Sequence, residues 1–117
     1  ILYMSKRKIT DPFNLTFEPF DRYGEPIPGM SWHKVSYNSK NSLGTYILKM
    51  ESGARSLRHE HTGYEEFLIL DGKLIDSDGK IFKKGDLITF EPGSKHSSHT
   101  KDGCLVLVLM RGINKII

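Results

Sequence analysis

The stretch Gly53–Gly72, GARSLRHEHTGYEEFLILDG, decides how the rest of the chain is read. His59 and His61 stand two apart in a segment that suits a strand. Residues i and i+2 of a strand share a face, so both imidazoles can reach one point. Thr62-Gly63 supplies a turn and Glu65 opens the next strand, so an antiparallel return carries the Glu65 carboxylate beside the histidines. A second segment, Gly85–His96, GDLITFEPGSKH, ends on a third imidazole. Three imidazoles and one carboxylate suit a single borderline divalent ion: iron, manganese, nickel, copper or zinc. Held by four protein ligands, a six-coordinate ion keeps up to two positions for water, oxygen or a substrate.

Outward from this stretch, glycine recurs every six to ten residues from Gly44 to Gly112. The intervals are short and rich in β-branched, aromatic and leucine residues. The strand candidates are Trp32–Tyr37, Thr45–Glu51, Ser56–His61, Glu65–Leu70, Lys73–Asp76, Lys80–Phe82, Asp86–Phe90, His96–Thr100 and Leu105–Arg111. Asp71-Gly72 and Asp78-Gly79 read as hairpin turns, because Asp and Gly tolerate positive φ. No apolar period of 3.6 residues persists for three turns. Short strands with turns at this spacing predict an all-β sandwich or barrel. Four of the five prolines fall at Pro12, Pro19, Pro26 and Pro28, alternating with Phe13, Phe17, Phe20 and Tyr23. They predict an extended N-terminal arm over residues 1–30, whose aromatics lie on a neighbouring surface, followed by one barrel over residues 31–117.

The chain has 117 residues, enough for one domain and too few for two good cores. Its net charge of +3 is too mild to imply nucleic acid, and Lys6-Arg7-Lys8 reads as a solvated tail. The longest apolar run, Cys104–Met110, is too short to span a bilayer, so no membrane role is expected. One cysteine excludes an internal disulfide and a thiolate cage for zinc. With no apolar leader of secretory length, the expected compartment is the cytoplasm. Met4-Ser5-Lys6 reads as a native start with Ile1–Tyr3 a remnant, or the chain is a piece of a longer protein; the sequence leaves both open.

The two histidine-bearing segments resemble the paired motifs of the cupin superfamily, small jelly-roll (double-stranded β-helix) barrels that hold one metal. Gly53, His59, His61, Glu65 and Gly72 fit the spacing of the first motif. Gly85, Gly93 and His96 fit the second, with Glu91 where proline is usual, Pro92 one place later, and Thr100 where asparagine is usual. HEHTGYEEFLILDG, the Asp76–Gly79 hairpin and Asp102-Gly103-Cys104 are similar to the ChrR-like cupin group, which includes the cupin of zinc-dependent anti-sigma factors and relatives similar to aromatic-ketone dioxygenases. The resemblance implies that His59, His61, Glu65 and His96 are the metal ligands.

Alternation from an inward Glu65 predicts that Phe67 and Ile69 line the pocket, and Tyr46, Leu48, Ile88, Phe90, Val106 and Val108 are inward candidates on other strands. Ser98 shares the face of His96 and is a candidate hydrogen-bond partner for a ligand. Glu66 points away from Glu65, although the motif's spacing also admits it as the ligand. His99 faces away from His96, His33 beside Trp32 reads as structural, and Cys104 as a buried small residue. Arg55 and Arg58 read as solvated residues that could otherwise draw an anion to the mouth. Two functions fit: an Fe(II)-type dioxygenase acting on a small organic molecule, with no catalytic residue assigned beyond the metal, or a non-catalytic metal-binding sensor like the anti-sigma cupin. The arm's aromatics predict a homodimer, since alone they would be poorly covered.

Overall fold

The computed structural model describes residues 6–117, so the readings of Ile1–Tyr3 and of Met4 as the start lie outside the described residues. Every regular element among them is a strand: β1 Glu18–Pro19, β2 Met30–Lys34, β3 Gly44–Met50, β4 His59–His61, β5 Glu65–Asp76, β6 Ile81–Lys83, β7 Leu87–Phe90, β8 Lys95–His96, β9 Ser98–His99, β10 Cys104–Met110 and β11 Asn114–Ile116. An eight-stranded sheet runs β1-β2-β3-β10-β5-β6, with β7 and β9 also paired to β5. A three-stranded sheet, β11-β4-β8, completes the jelly roll. The all-β fold is the one the glycine spacing predicts.

The middle of the large sheet is β10, CLVLVLM, bonded along its whole length to β3 and β5. Its alternation places Cys104, Val106, Val108 and Met110 in the core, opposite Tyr46, Leu48 and Met50 from β3 and Phe67 and Ile69 from β5. The segment between β1 and β2 turns back on itself, the Ile27 amide donating to the Phe20 carbonyl. Phe20 enters the core and packs edge-on against Trp32, with centroids 4.8 Å apart. Farther out, Phe17 is half-buried under Lys49, whereas Phe13 is 64% exposed.

Asp71-Gly72 is where the observed path departs from the predicted one. The two predicted strands around it are one, and β5 passes through without a hairpin. Leu105 faces Asp71 while Val106 faces Ile69, so Leu70 is extra and the ladder bulges. Gly72 takes φ 74°, and a Cβ there would run into the Gly103 carbonyl. The Thr100 hydroxyl secures the far side, donating to the Lys73 carbonyl at 2.8 Å and accepting from the Gly103 amide at 3.0 Å. The dipeptide's tolerance of positive φ is used, but for a bulge. An extra residue also changes parity: Glu65, Phe67 and Ile69 are buried before it, Leu74 after it. Asp78-Gly79 does make a turn, with the Gly79 amide donating to the Asp76 carbonyl at 2.8 Å. Two strands went unpredicted, β1 and β11; the predicted strand His96–Thr100 breaks at Ser97, and only His59–His61 of Ser56–His61 is a strand.

Candidate metal centre

His59 and His61 share the inner face of β4, and His96 stands directly across from His59 on β8. The turn to β5 is pressed against the C-terminal segment: the Gly63 backbone lies where only a glycine clears Gly112, and the Thr62 hydroxyl donates to the Ile113 carbonyl. Glu65 emerges from this turn facing inward. All four side chains are buried, and one donor atom from each lies within 4.8 Å of the others. His59 Nε2 is 3.2 Å from His61 Nε2 and 3.0 Å from His96 Nε2, and Glu65 Oε1 is 2.5 Å from His61 Nε2. Phe90 walls the cluster, its ring centroid 4.9 Å from that of His61 and 4.2 Å from that of His96.

The outer nitrogens assign the protonation. His59 Nδ1 reaches the Leu57 carbonyl at 2.8 Å, His61 Nδ1 the Ser94 hydroxyl at 2.8 Å, and His96 Nδ1 the Asp76 carboxylate at 2.7 Å. Carbonyl and carboxylate only accept, and Ser94 spends its proton on the Glu91 carbonyl at 2.7 Å, so each Nδ1 carries the hydrogen. Each Nε2 then points a lone pair at the same spot. Facing acceptors cannot bond one another, and burial keeps His59 neutral by pushing its pKa down to about 4. Burial alone would raise the Glu65 carboxyl; a further proton on His61 Nε2, bonded to Glu65 and charged, and then Arg22 outweigh it and hold it below its ordinary value, and without that proton the carboxylate and the Nε2 lone pair oppose each other. The cluster therefore needs positive charge at its centre. A proton can bridge one pair of these atoms; a divalent ion satisfies all four.

A model of the ChrR cupin-like domain matches residues 7–113. The chain belongs to the ChrR cupin-like family. Among solved cupins, an acetylacetone dioxygenase from Acinetobacter johnsonii is 17% identical, with a TM-score of 0.70 over 100% of this chain and 85% of that one. A protein of unknown function with a cupin-like fold from Ralstonia eutropha is 19% identical, with a TM-score of 0.66, over 75% of this chain and 63% of that one. A chain from the Rhodobacter sphaeroides complex of SigE with the anti-sigma ChrR is 17% identical, with a TM-score of 0.65, over 84% of this chain and 49% of that one. At these identities the likeness is one of fold, and this cupin spans less than two thirds of the last two. No curated protein matches its sequence.

Beside the donors, the cupin barrel encloses a cavity of about 30 Å³. Tyr46, Leu48, Phe67, Ser98 and Val106 line it. Ile69 lies in the core, Ile88 packs half-buried against it, and Phe90 backs the histidines; these three are off the cavity wall. The Ser98 hydroxyl pairs with that of Ser56 at 3.3 Å instead of with a histidine. Glu66 faces outward and bonds Arg111 at 2.7 Å, His99 pairs with the backbone of Arg55, His33 reaches the Thr16 carbonyl, and Arg55 and Arg58 are exposed. A larger groove, about 850 Å³, separates the arm at Pro12 and Phe13 from Gly72 and Cys104, and holds none of the donors.

Sequence reasoning missed the partners around the donors. Asp76 and Ser94 hold two imidazoles from the outside. On the arm, Tyr23 stacks on His59 with centroids 6.4 Å apart. Asn114 of β11 donates to the Tyr23 hydroxyl at 3.1 Å and to Glu65 Oε1 at 3.3 Å. Arg22 donates to the hydroxyls of Tyr23 at 3.0 Å and Tyr37 at 3.1 Å, fixing the roof of the cavity. No local spacing announces these residues, because they come from separate parts of the chain. Among the described residues, no helix is long and apolar enough to cross a membrane.

Proposed function

We propose that this cupin is a small cytoplasmic metalloenzyme of the oxygenase type, with His59, His61, Glu65 and His96 as the ligands of one divalent ion. The observation that carries this reading is the convergence of three Nε2 lone pairs and a carboxylate on one buried point, with every Nδ1 tied outward. A redox-active ion such as iron would supply the activation of oxygen. The chain's own residues set the conditions: Phe67 and Phe90 exclude water, and the Asn114 amide steadies Glu65. The likeness to the Acinetobacter johnsonii dioxygenase supports the class of reaction. The cavity has room for about two waters, so an organic substrate enters by displacing the roof at Phe20–Ile27.

A second reading, a non-catalytic metal-binding or sensor module, is favoured by that same small cavity and by the likeness to the ChrR complex. Anaerobic purification with elemental analysis, then oxygen uptake against diketones and phenolic ketones, separates the two. Turnover with bound iron supports the enzyme; bound zinc without turnover defeats it in favour of the module. We further propose a homodimer in which the arm packs on a second copy, since Ile9 is 86% exposed and Phe13 64%. A monomeric mass by light scattering at micromolar concentration would defeat this.

A further inference from the structure

We propose that Asp76 is a positioning residue of the metal centre: its carboxylate orients His96 and balances the charge of a divalent ion. This rests on the metal reading above. The three imidazoles are held from outside by three different acceptors, a carbonyl for His59, a hydroxyl for His61 and a carboxylate for His96. Only the last is an anion. Charge-assisted hydrogen bonds are about twice as strong as neutral ones. A carboxylate behind a ligating imidazole also fixes its tautomer and makes its inner nitrogen a better donor.

The carboxylate is itself held in place. Asp76 Oδ1 accepts from the Ser77 amide at 3.0 Å as well as from His96 Nδ1 at 2.7 Å, and the side chains of Asp76 and His96 are only 12% and 4% exposed. The turn that follows is closed by the Gly79 amide on the Asp76 carbonyl. Asp76 pairs with Ser98 across β5 and β9, two residues beyond His96. The bulge at Asp71-Gly72 turns it inward: after the change of parity Leu74 and Asp76 share a face. The hairpin Asp76–Gly79 is the mount for this group.

Charge counting points the same way. A divalent ion with Glu65 and Asp76 makes a neutral buried unit; without Asp76 a positive charge is left inside, at a cost that burial makes steep. Arg22, the other charge near Glu65, is stacked between Tyr23 and Tyr37 and half-buried toward solvent.

The test uses the full chain, stripped of metal by chelation and titrated with Zn²⁺ against a chromophoric competitor. Wild type binds one zinc. Asp76→Asn, with an unchanged melting profile, binds it about 10–100-fold more weakly, as for loss of the partner of a metal-bound histidine. Ser94→Ala, which removes the neutral partner of His61, loses less. Long-range proton–nitrogen NMR of the metal-free wild type finds the His96 hydrogen on Nδ1, a readout that a merely structural aspartate would not fix. Asp76→Asn binding zinc as tightly as wild type, Ser94→Ala losing as much, or a His96 hydrogen on Nε2 would each overturn the proposal. If Asp76→Asn does not fold, the tautomer decides. Failure of the wild type to bind zinc refutes the metal reading and this inference with it, whereas tight binding by both proteins refutes the inference alone.

Discussion

Loading the centre with a metal should raise the melting temperature by a predictable amount. The four donors sit on β4, β5 and β8, so an ion among them ties the three-stranded sheet to the eight-stranded one. It also removes the opposition of lone pairs at 3.0 and 3.2 Å. Ion at 100 times its dissociation constant stabilises the folded state by about 2.7 kcal/mol, and each further tenfold adds about 1.4 kcal/mol. A chain of 117 residues unfolds with an entropy of about 0.25 kcal/mol/K. The midpoint should therefore rise by about 11 °C at the first concentration and by about 6 °C more per decade. The assay is a circular-dichroism melt of chelated protein across a zinc series. His59→Ala combined with His96→Ala should abolish the shift, because only one imidazole and Glu65 then remain. A midpoint that ignores zinc would refute the convergence argument; an undiminished shift in the double variant would refute the choice of donors.

Gly72→Ala should destabilise by about 1–3 kcal/mol from positive φ alone, more with the clash at Gly103, and weaken zinc binding with it, whereas Gly79→Ala, whose Cβ meets nothing, costs only the φ term; urea unfolding compares the two. The chelated protein should lose stability as pH falls from 6.5 to about 4, since burial depresses His59 to about 4 while the unfolded imidazole takes its proton from 6.5 downward. The loss reaches about 3 kcal/mol at the acid end, and a flat denaturation profile across that window would remove burial of His59 as a cause. Burial pushes the Cys104 thiol up to about 11, so iodoacetamide at neutral pH should label it only after unfolding; rapid labelling of the folded chain would contradict its place in the core.

The convergence of His59, His61 and Glu65 was legible because a short-range rule suffices for it, whereas His96 was reached through the resemblance of Gly85–His96 to the second cupin motif. Period-2 geometry puts His59 and His61 on one face, and a single turn returns Glu65 to them. The same rule fits β10 and the first half of β5, where burial alternates without interruption along Cys104–Met110 and Glu65–Ile69. Their surroundings were not legible for a different reason. Tyr23 and Asn114 reach His59 and Glu65 across more than 30 residues of chain, and Ser94, although two residues from His96, bonds the distant His61.

Asp76 shows where short-range reading stops. An Asp-Gly pair offers positive φ, and both a hairpin and a bulge use it. What separates them here is not in the dipeptide: it is the Gly103 carbonyl pressed against Gly72 and the ladder of β10, which continues past the extra residue as far as Gly72. Read as a hairpin, Lys73–Asp76 becomes a new strand of free register, and nothing aims Asp76. Read as a bulge, the strand continues with its parity inverted, and one extra residue at Leu70 decides which of its later side chains face inward. The approach of His59, His61 and Glu65 thus follows from local pattern, whereas His96 and the charge behind it are brought in by pairings that only the folded sheet contains.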